Sequence, residues 1–136
     1  MIRIIASKLI PKRQIAFKNK YIFMGISSSS NVDMNSATAE YVKTTINGNP
    51  VVIFSKTTCP FCTMAKDAFK DIGVAYEAIE LNKMKNGSEI QDILNEMTGA
   101  RSVPRVFVHG NCIGGGSETK SLHQQGKLLP LVQQSK

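Results

Sequence analysis

The stretch Val51–Lys66, VVIFSKTTCPFCTMAK, changes character in its middle. Val51 to Phe54 is an unbroken β-branched and aromatic run, the mark of a strand covered on both faces of a sheet. From Pro60 to about Asp71 the pattern turns helical, with Met64, Ala65, Ala68 and Phe69 predicted to face inward. Proline suits the first position of a helix, because its missing N–H would have had no partner there and its fixed φ is already helical. That puts Cys59 at the N-cap and Cys62 one turn in. Two cysteines therefore sit where a buried strand hands over to a helix.

Upstream, residues 36–46 are compatible with a helix that turns Ala37, Tyr41 and Val42 to one side, and Asn47-Gly48-Asn49-Pro50 ends it. Downstream, Gly73 stands where a C-terminal cap belongs, and Val74–Leu81 alternates as a second strand. A third helix is predicted over Ser88–Met97, opened by a Ser88/Gln91 capping box and closed by Gly99. Arg105–Val108 and Cys112-Ile113 flank His109-Gly110-Asn111 as a β-hairpin. Gly114-Gly115-Gly116 leads into a closing helix over about Ser117–Gln125, and an apolar turn follows through Leu128–Val132. The order α-β-α-β-α-β-β-α contains one β-α-β unit, whose strands run parallel through a right-handed crossover. The hairpin adds antiparallel strands. The expected class is α/β, a four-stranded mixed β-sheet flanked by helices on both faces.

The 136 residues allow one domain with some appended sequence, and 42% apolar residues suffice for a core. No run approaches the roughly 18 continuous apolar residues of a membrane helix, so no transmembrane segment is expected. The net charge of +7 is unevenly placed. Residues 1–32 hold six basic residues (Arg3, Lys8, Lys12, Arg13, Lys18 and Lys20) and no acid; from Asp33 on, eleven Lys and Arg face ten acids. The body thus carries no basic patch for nucleic acid. The division expected is a basic leader and Ser-rich linker over residues 1–33 and a folded domain over 34–136. An acid-free, amphipathic leader fits a mitochondrial transit peptide, although Pro11 would break a continuous helix. The alternative is a leaderless cytosolic form started at Met24, where Met24–Ser29 also has the spacing of a myristoylation signal.

Cys59 and Cys62 admit three readings. A structural zinc needs two more ligands, and the only candidates, His109 and Cys112, lie 47 and 50 residues beyond Cys62 on opposite sides of a turn. A structural disulfide would close a tiny loop and remove little unfolded-state entropy. Three cysteines in a chain of this length are not a disulfide framework. A redox pair accounts for each position. At the N-cap, the Cys59 sulfur faces unpaired N–H groups and the positive end of the helix, and Lys56 adds a cation. Cysteines in such settings fall from about 8.5 toward roughly 3.5–7.5. Cys62, more enclosed, keeps its proton. Cys59 is thus expected to attack and Cys62 to resolve.

Four blocks in order, Cys59-Pro60-Phe61-Cys62, Ile90-Gln91-Asp92, Ser102-Val103-Pro104 and Gly114-Gly115-Gly116-Ser117-Glu118, resemble the dithiol glutaredoxins of the thioredoxin fold over about residues 50–132. The resemblance implies a glutathione-dependent oxidoreductase that reduces protein–glutathione mixed disulfides and protein disulfides. Glutathione would be reductant and co-substrate, recycled by a separate reductase, and the enzyme a monomer without a resident metal. It implies that Pro104 is cis and that Val103 meets the cysteinyl part of glutathione through its backbone. Phe61 would lie beside the tripeptide. Lys56 and Gln91 would take its glycine-end carboxylate, and the N–H groups of Gly116 and Ser117 its γ-glutamyl carboxylate. Glu118 would take the γ-glutamyl ammonium, where the commoner family pattern has Asp.

Some vertebrate mitochondrial relatives carry Ser in place of Pro60 and bridge two monomers through a [2Fe–2S] cluster held by the first cysteine, which here would be Cys59. A proline at this position disfavours cluster assembly within the family. The alternatives to the enzyme reading are such a cluster-bridged sensor or carrier dimer, and a thioredoxin-like protein disulfide reductase. Cys112 reads as a small buried hydrophobe or an oxidation-sensitive thiol, His109 as a turn residue and His123 as a surface residue of the last helix.

Overall fold

A computed structural model describes residues 32–134; the expected leader falls outside them. From Asn35 onward the chain forms one compact unit. Its elements are α1 (Ala37–Gly48), β1 (Val51–Ser55), α2 (Pro60–Asp71), β2 (Glu77–Glu80), a 3₁₀ turn (Leu81–Lys83), α3 (Gly87–Thr98), β3 (Arg105–Val108), β4 (Asn111–Gly114), α4 (Gly116–Gln124) and α5 (Leu128–Gln133). The four strands lie in the order β2-β1-β3-β4. β1 pairs parallel with β2, Phe54 opposite Ile79, and antiparallel with β3, Ile53 opposite Val106. β4 closes the outer edge against β3 with a bulge between Val106 and Phe107.

Every residue of β1 is buried, as a strand inside a sheet covered on both faces requires. Val51 and Ile53 join Val106, Val108, Ala65, Ala68, Phe69 and Leu128 in a core on the face covered by α2 and α5. The alternate residues Val52 and Phe54 point the other way, and Phe54 meets Phe107 edge-to-face at 5.8 Å. α1 and α3 pack on each other, as do α2 and α4, so helices cover both faces. Each large apolar side chain taken fully from water contributes roughly 1.5–3 kcal/mol, which makes this double-faced burial the main term that holds β1 in place.

The sequence expectations need correction at several points. The buried face of α1 is Ala39, Val42 and Ile46, while Tyr41 is exposed. On α2 the buried set is Cys62, Ala65, Ala68 and Phe69, with Met64 half-buried. The strand expected over Val74–Leu81 is shorter: it begins at Glu77, and Leu81 belongs to the 3₁₀ turn. The hairpin turn is His109-Gly110 alone, both at positive φ (49° and 87°), so Asn111 already belongs to β4. Two positive φ values in succession give the twist that matches paired strands, which is why Gly110 suits the second place. The apolar stretch after Lys127 is a short helix, docked where the His109 ring nitrogen Nε2 meets the Val132 carbonyl at 2.6 Å. His123 is half-buried and contacts Asp71 at 3.2 Å.

Candidate active site

Cys59 is the N-cap of α2, with extended backbone and Pro60 directly after it. Its Sγ accepts a hydrogen bond from the Cys62 N–H at 3.2 Å, one of the first-turn donors without an intrahelical partner. Its own N–H donates to the Lys56 carbonyl at 3.0 Å, which tightens the loop after β1. A reciprocal pair fixes the same loop from the side: the Thr57 N–H donates to Asn82 Oδ1, and Asn82 Nδ2 donates to Thr57 Oγ1. Asn82 lies in the 3₁₀ turn after β2, so the parallel strand pair positions the reactive loop.

The two sulfurs occupy different surroundings. Cys59 is half-buried and Cys62 fully buried, and both are free thiols. Burial pushes the Cys62 thiol up to about 12; its hydrogen bond with the Cys59 sulfur adds to this, while the Lys66 ammonium pulls the other way. Cys62 therefore holds its proton at neutral pH.

Across from Cys59 stands the loop before β3. The Val103–Pro104 peptide bond is cis, as expected. Cys59 Sγ lies 3.8 Å from the Val103 carbonyl oxygen. Gln91 is buried, and its Nε2 donates to the Arg101 carbonyl at 2.9 Å, three residues before Pro104. The Ser88/Gln91 capping box does not form: α3 starts one residue earlier, at Gly87, with Asn86 as N-cap. Ser88 Oγ instead accepts from Arg101 Nη2 at 2.8 Å, and Arg101 Nε donates to Asp92 at 2.7 Å. α3 thus holds the loop through Arg101.

The third wall is the start of α4. A Cβ on Gly116 would lie 2.7 Å from the Phe61 carbonyl oxygen, so only glycine lets the two helix starts meet. Phe61 itself is 52% exposed, an unusual state for a phenylalanine and the reason it can cover a ligand beside Cys59. The N–H groups of Gly116 and Ser117 have no acceptor among the described residues. Glu118 folds back so that its Oε1 accepts the Gly115 N–H at 2.8 Å. That hydrogen bond, then the one from its own N–H and the nearby Arg105 charge, hold its carboxyl below the usual range. This is half of a capping box, since Gly115 has no side chain to return the bond.

Cys59, Phe61, Val103, Pro104 and Gly116 thus converge, with Ser117 and Glu118 next to them on the first turn of α4. Lys56 ends the loop's base, half-buried, its ammonium unpartnered among the described residues. No hydrogen bond joins it to Gln91, whose amide nitrogen is committed to the loop. Two residues of the site escaped the sequence reading. Arg105 Nε donates to the Ser102 and Pro104 carbonyls, bracing the cis-proline loop; its place directly after Pro104 was the available signal. Asn82 carried no signal, because its partner Thr57 is 25 residues away. Among the described residues no group of three or more His, Cys, Asp or Glu could hold a metal ion. Cys112 is exposed on the edge strand β4, which corrects its reading as a buried hydrophobe.

Comparison with known proteins now adds to this geometry. The family model described as Glutaredoxin matches residues 51–113. The mitochondrial glutaredoxin-2 of Bos taurus is 53% identical over 113 residues, covering 82% of this chain and 71% of that protein. Among solved structures, a wheat glutaredoxin superposes with a TM-score of 0.71 at 39% identity, covering 76% of this chain and 98% of that one. A buckwheat glutaredoxin–glutathione complex does so with 0.67 at 39%, covering 70% and 86%.

Proposed function

Since the chain belongs to the glutaredoxin family and is a glutathione-dependent thiol–disulfide oxidoreductase, we propose that Cys59 is its nucleophile and Cys62 its resolving thiol. One observation carries the assignment: the Cys59 sulfur caps α2, accepts an N–H and is accessible, while Cys62 is buried and holds its proton. A helix N-terminus with a backbone donor favours a sulfur anion.

On a glutathionylated protein, the Cys59 thiolate attacks the glutathionyl sulfur. The bond to the protein sulfur breaks, and the protein leaves as a thiolate that takes up a proton. The enzyme is left as a Cys59–glutathione mixed disulfide. A second glutathione thiolate attacks its glutathionyl sulfur, releasing glutathione disulfide and restoring the Cys59 thiolate. On protein disulfides, Cys59 attacks one substrate sulfur and displaces the other as a thiolate. Cys62 then attacks Cys59, forming the Cys59–Cys62 bond as the bond from Cys59 to the first substrate sulfur breaks and that sulfur leaves as a thiol.

The three walls support a reading of how glutathione binds. The cysteinyl backbone pairs with Val103 ahead of Pro104 as an added strand would. The γ-glutamyl carboxylate meets the N–H groups of Gly116 and Ser117, and its ammonium the Glu118 carboxylate, whose negative charge is secured by the Gly115 hydrogen bond. Phe61 covers one side, and Lys56 takes the glycine-end carboxylate. Gln91 acts mainly through Arg101, by setting the loop. The reaction needs no resident metal; with Pro60 at the first position of α2, the [2Fe–2S] dimer is the disfavoured alternative, and visible absorbance of anaerobically purified protein tests it. The names of relatives and the basic leader support a mitochondrial location. We further take residues 34–136 as the catalytic domain, acting as a monomer on glutathionylated and disulfide-bearing proteins.

Reduction of a glutathionylated peptide by wild type, Cys59→Ser and Cys62→Ser tests the roles. Cys59→Ser loses all turnover above background, and Cys62→Ser keeps at least about a third of it, as an on-pathway thiol differs from a resolving one. A Cys59→Ser enzyme that still turns over refutes the assignment.

A further inference from the structure

One helical turn beyond the buried cysteine begins a charged chain that the reaction above leaves unused. Lys66 follows Cys62 by one helical turn on α2, so the two side chains share a face. Its ammonium donates to Glu80 Oε2 at 2.6 Å, and the other carboxylate oxygen accepts from the Ser55 hydroxyl at 2.5 Å. Ser55 is fully buried at the end of β1, and the Lys66 and Glu80 side chains are only 19% and 20% exposed. A lysine ordinarily extends its head into water. Here it is held by Glu80 of β2, which Ser55 of β1 fixes in turn, although a desolvated ion pair of this type adds little stability on its own. Burial pushes the Glu80 carboxyl up, but the hydrogen bonds from Lys66 and Ser55 outweigh it and keep the group below the usual range, hence charged.

We propose that the Ser55–Glu80–Lys66 chain is a positioning device for the resolving step, holding the Lys66 cation where it stabilises the anion that develops on Cys62. The proposal rests on the assignment of Cys62 as the resolving thiol. In that step the Cys62 sulfur attacks Cys59 Sγ of the mixed disulfide. The Cys59–Cys62 bond forms as the bond from Cys59 to the glutathionyl or substrate sulfur breaks. That sulfur departs with the electron pair and takes up the proton that Cys62 gives off. The Cys62 sulfur is oxidised from thiol to disulfide and the departing sulfur is reduced to a thiol, while Cys59 remains in a disulfide throughout.

Negative charge must therefore appear transiently on a sulfur with no water around it. Three groups act on the Cys62 thiol besides its burial: the Cys59 sulfur, the Lys56 backbone and the Lys66 cation. Of these only Lys66 brings a full positive charge, and it lowers the cost of ionising Cys62. Glu80 is further biased by Lys83. The same cation has no part in the monothiol route, in which Cys62 never ionises.

The test separates the two routes. Reduced enzyme is mixed with glutathione disulfide, quenched with acid, and the intact protein weighed to follow the mixed disulfide as it converts to the Cys59–Cys62 bond. Lys66→Met slows conversion by on the order of tenfold, the scale of one charge acting through a partly screened interior. Lys66→Arg restores most of the rate. In the Cys62→Ser background, where closure cannot occur, Lys66→Met changes peptide deglutathionylation by less than about twofold. Lys66→Gln, which still donates to Glu80, repeats the measurement where methionine unfolds the protein. Unchanged closure in Lys66→Met and Lys66→Gln overturns the proposal, and so does an equal loss in both backgrounds. A wild-type enzyme whose Cys62→Ser variant still forms an intramolecular bond would instead overturn the role of Cys62 itself.

Discussion

Two helix N-termini meet at the active site, and they are capped in opposite ways. α2 is capped by the sulfur proposed to react: Cys59 Sγ takes the Cys62 N–H, so the positive end of the helix acts on the proposed nucleophile. α4 is capped by a side chain of its own first turn: Glu118 turns back to the Gly115 N–H and does not take the Gly116 and Ser117 donors. The first arrangement spends the helix end on reactivity and the second leaves it for a bound anion. Proline marks one start and glycine the other. Pro60 stiffens the turn that aims a sulfur, whereas Gly116 lets a second backbone come close.

The contact between the two ends gives the largest expected effect. Alanine at Gly116 puts a methyl 2.7 Å from the Phe61 carbonyl oxygen and 3.0 Å from its Cβ, so the two helix starts must separate. Gly116→Ala should lower kcat/KM for a glutathionylated peptide on the order of a hundredfold, because a shift of about 1 Å in a positioned site costs that much. Thermal unfolding should show a loss of roughly 1–3 kcal/mol. Near-wild-type activity would mean that the two N-termini do not work as one site.

A smaller change sharpens the contrast. Glu118→Gln keeps an oxygen to accept the Gly115 N–H but removes the charge. The KM for glutathione should rise about tenfold, as loss of a charge-assisted contact predicts, with kcat little altered. The pH dependence follows from the same group. The folded carboxyl sits below its unfolded value, so its contribution to stability is complete above the unfolded value and disappears as pH falls through the folded one. Thermal midpoints of wild type and Glu118→Gln measured from neutral to acid pH should therefore converge at the acid end. A constant offset would show that the charge is not what stabilises this turn.

The two helix ends were also unequally legible. Around α2 the sequence speaks locally: an unbroken apolar strand, two cysteines, a proline after the first. The N-cap role of Cys59 follows from these alone, and the structure has it. Around α4 the glycines announce a close approach, but not that Phe61 is what approaches. The misreadings have two causes, a long-range partner and a place at the sheet edge. Ser88 and Gln91 have capping-box spacing, yet Arg101 takes both side chains. The buried face of α1 depends on packing against α3, which a short helix with few apolar residues does not reveal. β2 pairs on one side only, so its strand is cut to Glu77–Glu80 and the alternation before it is left unpaired. Cys112 falls on the outermost strand, where it and its neighbour Asn111 are both exposed. The cis bond at Pro104 came from family resemblance, since no local pattern distinguishes it from an ordinary proline at a strand edge.

The inequality of the two sulfurs supports everything above, and limited alkylation measures it directly. In a Cys112→Ser background, which removes the exposed third thiol, reduced protein is treated with substoichiometric iodoacetamide near neutral pH and the labelled peptides are quantified. Cys59 should carry nearly all of the label, and Cys62, buried and pushed up to about 12, almost none. Equal labelling of the two, or a preference for Cys62, would contradict the account.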